Sequence, residues 1–137
     1  MTVVTDTSFW LAITDRADMR HMDCVTVAHD LSDRITIPVN VLPEVCYLID
    51  RRMGHLAMRR FIQQVLASGL TLEQVTLSDL ARSLQILNQY ADTRLDFVDS
   101  TIVAVAERLG ITTILTLDQR HFRMLRPRHC PAFELLP

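Results

Sequence analysis

Lysine is missing from this 137-residue chain: all fourteen of its basic residues are arginine. That absence removes whole classes of chemistry. A phosphate-cradling P-loop needs its lysine, Schiff-base catalysis needs an amine, and receiver-type phosphorylation domains keep a lysine beside their acidic pocket. Cysteine is sparse too. Cys24, Cys46 and Cys130 are odd in number, scattered and free of any C-x-x-C spacing, which argues against a disulfide framework and against a zinc site. The five histidines are equally dispersed, with no two at metal-ligand spacing along a helix. No apolar run approaches a membrane span, and the first residues lack the charged-then-apolar pattern of a signal peptide. The expected location is the cytoplasm, without a membrane partner. A net charge of −2 supplies no overall positive field to attract a polyanion.

What is present is an apolar, glycine-poor chain, 49% hydrophobic with three glycines and five prolines, which suits one compact domain over residues 1–137. Residues 3–5 are apolar or β-branched, as a buried parallel strand requires, and Asp6, Thr7 and Ser8 follow as helix-start residues. A second helix is expected over 21–32, with Val25, Ala28 and Leu31 inward, then a strand over 35–38. Asn40 reads as the cap of a third helix that tolerates Pro43 in its first turn, carries Glu44 there, and buries Val41, Val45, Leu48 and Ile49. A fourth helix spans 55–67 and a short strand 69–75. Thr76 or Ser78 starts a fifth helix, with Leu80, Leu84, Leu87 and Tyr90 on its inner face. The stretch 95–110 reads as a largely buried helix opened by Asp96 and Asp99 and closed by Gly110. A strand over 112–117, a helical turn around Phe122 and a terminal strand over 132–135 complete the chain. Strands alternating with helices predict a mainly parallel central sheet in an α/β/α sandwich.

Asp6, Glu44, Asp99 and Asp118 each fall at the carboxyl end of an expected strand or in a helix's first turns, positions that converge on one edge of such a sheet. Each has an ordinary explanation as a cap or a surface acid. Asp96 with Asp99 alone reads as an acidic variant of a capping box. Gathered without a lysine, four acids repel one another, and a divalent cation resolves the conflict; hard oxygen donors suit Mg²⁺ or Mn²⁺. Such a site supports hydrolysis of a phosphodiester by metal-activated water.

The segments 4–8 (Val-Thr-Asp-Thr-Ser), 42–44 (Leu-Pro-Glu), 96–109 (Asp-Phe-Val-Asp-Ser-Thr-Ile-Val-Ala-Val-Ala-Glu-Arg-Leu) and 115–122 (Leu-Thr-Leu-Asp-Gln-Arg-His-Phe) together resemble the PIN-domain ribonucleases, in particular the VapC-like toxins of toxin-antitoxin pairs. The resemblance runs in order along nearly the whole chain. It implies a PIN-like fold and a Mg²⁺- or Mn²⁺-dependent endoribonuclease acting on structured RNA such as tRNA. Asp6, Glu44, Asp99 and Asp118 would be its acids, with Asp6, Asp99 and Asp118 on the metal. Ser100 stands where an alanine is commoner in the family. Asp96 is read first as an N-cap and second as an accessory ligand, while Thr7, Ser8 and Thr116 match hydroxyls that orient the acids. The resemblance also implies a homodimer and an antitoxin that wraps an apolar groove. Trp10 is a candidate contact for it, or simply core. Arg51 and Arg52, with Arg59 and Arg60, and Arg120 and Arg123, with Arg126 and Arg128, read as RNA phosphate contacts or as solvated surface. A phosphatase or receiver reading lacks its paired acids and its lysine. A non-catalytic RNA-binding or interaction domain of the same fold is the remaining alternative, disfavoured because all four acids are kept.

Overall fold

The β-branched run that opens the chain pairs on both of its edges. A computed structural model describes residues 1–137, with strands β1 (Val3–Thr5), β2 (Ile35–Pro38), β3 (Thr71–Glu73), β4 (Thr113–Leu115) and β5 (Glu134–Leu136). They form one sheet in the order β3-β2-β1-β4-β5, every pair parallel. Val3 stands opposite Ile35 on one side and Thr113 on the other. β1, β2 and β4 are buried throughout, whereas the edge strands β3 and β5 are partly exposed. That is the pattern of a parallel sheet covered on both faces.

Seven helices cover it: α1 (Thr7–Thr14), α2 (His21–Asp30), α3 (Val41–Met53), α4 (His55–Ala67), α5 (Leu77–Gln89), α6 (Phe97–Leu109) and α7 (Gln119–Met124). α1 packs on α2 and α3, α3 on α4, and α5 on α6. Right-handed crossovers place the first group on one face and the α5–α6 pair on the other, the expected α/β/α sandwich. None of the helices is long and apolar enough to cross a membrane. The chain leaves β1 toward β2 and β3, then returns to lay β4 on the opposite side of β1. The strand order reverses there, and a crevice opens beyond the strands' carboxyl ends.

α6 is buried continuously from Ser100 to Ala106, as a helix enclosed by its own protein must be. Gly110 ends it at φ 69°, in the left-handed region glycine tolerates best. Asp96 caps its start, accepting the Asp99 N–H at 2.8 Å.

Two local expectations need correction. Asn40 precedes α3 but makes no cap bond; its Nδ2 donates to Thr101 Oγ1 at 2.7 Å and so ties the start of α3 to α6. On α5, Leu80 and Leu84 face solvent at 44% and 59% exposure, while Asp79, Ser83 and Ile86 are inside. An ion pair sets that rotation. Asp79 closes a capping box with Thr76 and takes a fork from Arg108 of α6, with Arg108 Nε at 2.9 Å from its Oδ1. Burial alone would raise the Asp79 carboxyl, yet the Arg108 fork and the hydrogen bonds with Thr76 together outweigh it and hold the group below its usual range. Alongside, Arg82 forks Glu107, with Nε at 2.7 Å and Nη2 at 3.1 Å.

The Asp79 side chain is only 3% exposed, so Arg108→Ala leaves a buried charge without its partner. The expected cost is about 3 kcal/mol in urea denaturation, part of it regained when Asp79→Ala is added. An unchanged denaturation midpoint would show that the fork does not hold α5 in place.

Candidate metal centre

Asp6 ends β1 and opens α1, so one side chain answers to both elements. It is 3% exposed. Its Oδ1 accepts the Phe9 N–H at 3.1 Å as the α1 cap, and the Ser8 hydroxyl at 2.8 Å. Its Oδ2 accepts the Thr116 hydroxyl. Thr116 and Ser8 also brace the neighbouring turn: Thr116 Oγ1 accepts the Asp118 N–H at 2.8 Å, and Ser8 Oγ accepts the Leu117 N–H at 2.9 Å. The backbone adds Asp6 N–H to Leu115 O at 3.2 Å. Two hydroxyls thus lock the exit of β4 onto the exit of β1.

Asp118 follows this lock at the start of α7. Its Oδ2 lies 2.7 Å from His121 Nδ1, one turn further along. Across the crevice, Asp99 sits in the first turn of α6, and one ligand atom each from Asp99, Asp118 and His121 lie within 4.8 Å of one another. Glu44 comes from the first turn of α3. The structure therefore brings Asp6, Glu44, Asp96, Asp99 and Asp118 to one sheet edge, close enough to act on each other's charge.

The electrostatic consequence is large. Burial raises Asp6 to about 6; hydrogen bonds from Thr116, Ser8 and Phe9 restrain the rise, and Asp118 adds to it. Asp99 is pushed up to about 8 by burial first, then by Asp96, Asp6, Asp118 and Glu44. Glu44 is raised by burial and then by Asp96, with the Thr7 hydroxyl pulling the other way. No cation figures among the groups that shift these three acids. Thr7 itself is 8% exposed, and its Oγ1, though it faces Glu44, has no hydrogen-bond partner. The Asn40 Oδ1 is likewise buried and unpartnered. Oxygen donors of one sign, uncompensated charge and orphaned buried oxygens fit a hydrated divalent cation.

The arginines are distributed differently. Arg120 is exposed, two residues past Asp118, and makes no ion pair. Arg123 donates to Gln119 Oε1 at 2.7 Å, Arg126 to the carbonyls of Arg123 and Leu125, and Arg128 to Gln85 Oε1 at 2.8 Å. Arg51 lies over the Tyr47 ring. Arg51 and Arg52 follow Glu44 by two helical turns, about 11 Å along α3, and touch none of the acids. Trp10 is core: 6% exposed, edge-on to Phe9 and Phe61, with its Nε1 donating to Thr5 Oγ1 at 2.7 Å.

Asp6 and Asp99 bind protons more tightly folded than unfolded. Their contribution to stability is full below the unfolded value of 3.8 and is lost as pH rises through about 6 and then about 8. In EDTA, the thermal midpoint of the protein should fall from about pH 5 to about pH 8. Asp99→Asn should flatten that decline and gain about 2 kcal/mol at the alkaline end. A midpoint independent of pH in circular dichroism melts would mean the acids do not repel one another.

Comparison with known proteins follows the same lines. The PIN domain model matches residues 3–126. Ribonuclease VapC26 of Mycobacterium tuberculosis is 29% identical over 135 residues, covering 98% of this chain and 100% of the relative. VapC20 of the same species, a 23S rRNA-specific endonuclease, is 28% identical over 116 residues, or 85% and 88% of the two chains. The crystal structure of VapC20, a sarcin-ricin loop cleaving toxin, superposes with a TM-score of 0.76 at 27% identity, covering 82% of this chain and 87% of that one. VapBC2 from Rickettsia felis, solved with a DNA fragment from its promoter, shares the fold at a TM-score of 0.72 and 14% identity, over 98% and 97% of the chains. Matched to the PIN model along nearly its whole length and superposable on these structures, the chain belongs to the PIN-domain family.

Proposed function

We propose that this protein is a Mg²⁺- or Mn²⁺-dependent endoribonuclease that acts as the toxin of a toxin-antitoxin pair. The observation that carries the reading is the crevice of mutually repelling acids, with Asp99 raised to about 8 and no cation among the groups that shift it. A nuclease needs positive charge where a phosphodiester gains negative charge, and this pocket is built to receive it.

Asp6, Asp99 and Asp118 would hold the cation, which would supply a lowered pKa for a water and offset charge on the phosphate. The remaining work falls to the chain itself. Ser8 and Thr116 keep the Asp6 oxygens from turning away. Asp96 caps α6 and keeps Asp99 at its first turn. Glu44, half-buried and with a raised pKa, suits a carboxylate that takes the proton of the attacking water at one of its Oε atoms. Arg120 stands exposed beside the crevice to meet a flanking phosphate, with Arg51, Arg52, Arg59 and Arg60 as a second basic strip further out.

A structured RNA is the proposed substrate. VapC20 is named for 23S rRNA, which sets a ribosomal loop beside tRNA as the substrates to assay. For the antitoxin, a groove of about 640 Å³ runs between α1, α2 and α4, lined by Ile13, Val25, Leu56 and Phe61 and flanked by Arg16 and Arg60. It suits an amphipathic segment with acidic side chains. A homodimer and a cytoplasmic location belong to the same reading.

Purified protein, freed of antitoxin, should cut a tRNA pool or a 23S rRNA fragment with Mg²⁺ or Mn²⁺ and not with EDTA. Asp6→Ala and Asp99→Asn should each lower the rate by about a hundredfold or more, and Asp99→Asn should stay folded. Thr116→Val should lose about tenfold or more. Binding of either RNA without cleavage under all these conditions would replace the enzyme by a non-catalytic RNA-binding domain.

A further inference from the structure

We infer that His121 is a ligand of the cation site, supplying one imidazole nitrogen beside the carboxylate oxygens of Asp99 and Asp118. The inference rests on the metal-dependent reading above and extends it to a residue outside the set of acids.

His121 differs from the half-buried His21 and His129 in what it touches, and from the exposed His29, whose ring lies 3.5 Å from the carboxylate of its own chain neighbour Asp30. His21 and His129 each put a ring nitrogen on a main-chain carbonyl, at 2.8 Å from Ala12 O and 2.6 Å from Ile111 O. Those two rings anchor local backbone. The His121 ring has a single partner, the Asp118 carboxylate at 2.7 Å, and its other nitrogen is uncommitted. The Asp-x-x-His spacing across the start of α7 puts both side chains on one side of the turn. With Asp99 reaching over from α6, three ligand atoms come within 4.8 Å of each other from two separate elements. That is close enough for one ion.

A second observation points to a ligand in the same crevice. The Thr7 hydroxyl is buried and turned toward Glu44 without completing a well-formed hydrogen bond. Buried hydroxyls are rarely left so, and the water shell of a cation would satisfy it.

The chemical consequence is selectivity. Carboxylates alone suit Mg²⁺, whereas an imidazole nitrogen in the set favours Mn²⁺ and the later first-row ions. A purely positioning role, with Nδ1–H holding Asp118, would leave the donor set all oxygen. The two roles give different results in two variants. Asparagine keeps a donor for Asp118 but has no imidazole; alanine keeps neither.

The test is Mn²⁺ binding to the untagged full chain, followed by electron paramagnetic resonance, with Mg²⁺ affinity measured by competition. The expected result is an electron spin-echo modulation from a directly bound nitrogen in the native protein, absent in both His121→Asn and His121→Ala. Mn²⁺ affinity should fall about tenfold or more in both variants, with Mg²⁺ affinity little changed. Mn²⁺ bound without nitrogen coupling, or native Mn²⁺ affinity in His121→Asn, overturns the ligand role and leaves the metal-dependent nuclease standing. No Mn²⁺ binding at all overturns both.

Discussion

The whole arrangement depends on a buried carboxylate, Asp6, held at the junction of β1, α1 and the exit of β4. Three hydrogen bonds meet on it, from the Phe9 backbone and from the Ser8 and Thr116 hydroxyls. One residue therefore caps a helix, closes the central pair of strands and faces the crevice where the strand order reverses. The burial that gives it a fixed position also makes its charge costly. Fold and site draw on the same atoms, and the tension between them is local to this edge.

The rest of the molecule keeps its cations elsewhere. Arg82 and Arg108 are spent on Glu107, Asp79 and Glu73, between α5, α6 and the end of β3. No arginine crosses to quench the acids that shift Asp99. Ion pairing stabilises one side of α6, and uncompensated charge collects at its N-terminus. A pocket already neutralised by guanidinium groups would hold no affinity for a metal ion.

How much of this was legible in the sequence follows from the range of the signals. The core strands were readable because apolar and β-branched residues run unbroken into Asp6 and into the turn before Asp118, while Glu44, Asp96 and Asp99 fall at the starts of helices. The Ser8 and Thr116 hydroxyls matched their positions in the motifs, but the bonds by which they join β1 to β4 span 108 to 110 residues, and no local pattern displays those. On α5, Leu87 and Tyr90 pack on the core as expected, but Leu80 and Leu84 do not, because Asp79, Ser83 and Ile86 share helical spacing just as the leucines do. The choice between the stripes is made by Arg108, 29 residues away from Asp79. Asn40 looked like a cap because asparagine before a helix usually is one; its partner, Thr101, is on another helix. His121 has no second histidine at metal-ligand spacing, and only its three-residue separation from Asp118 marks it in the sequence.

The lock between Thr116 and Asp6 also fixes when the protein becomes what it is. During synthesis Asp6 emerges 110 residues before Thr116, and β1 has only β2 beside it until residues 113–115 arrive. Before Thr116 and Asp118 have left the ribosome, the crevice lacks a wall and the Asp6 carboxylate lacks its brace. A nascent chain stays incomplete at this edge until residues 113–118 have emerged, so the site is assembled only when a segment 110 residues beyond Asp6 arrives.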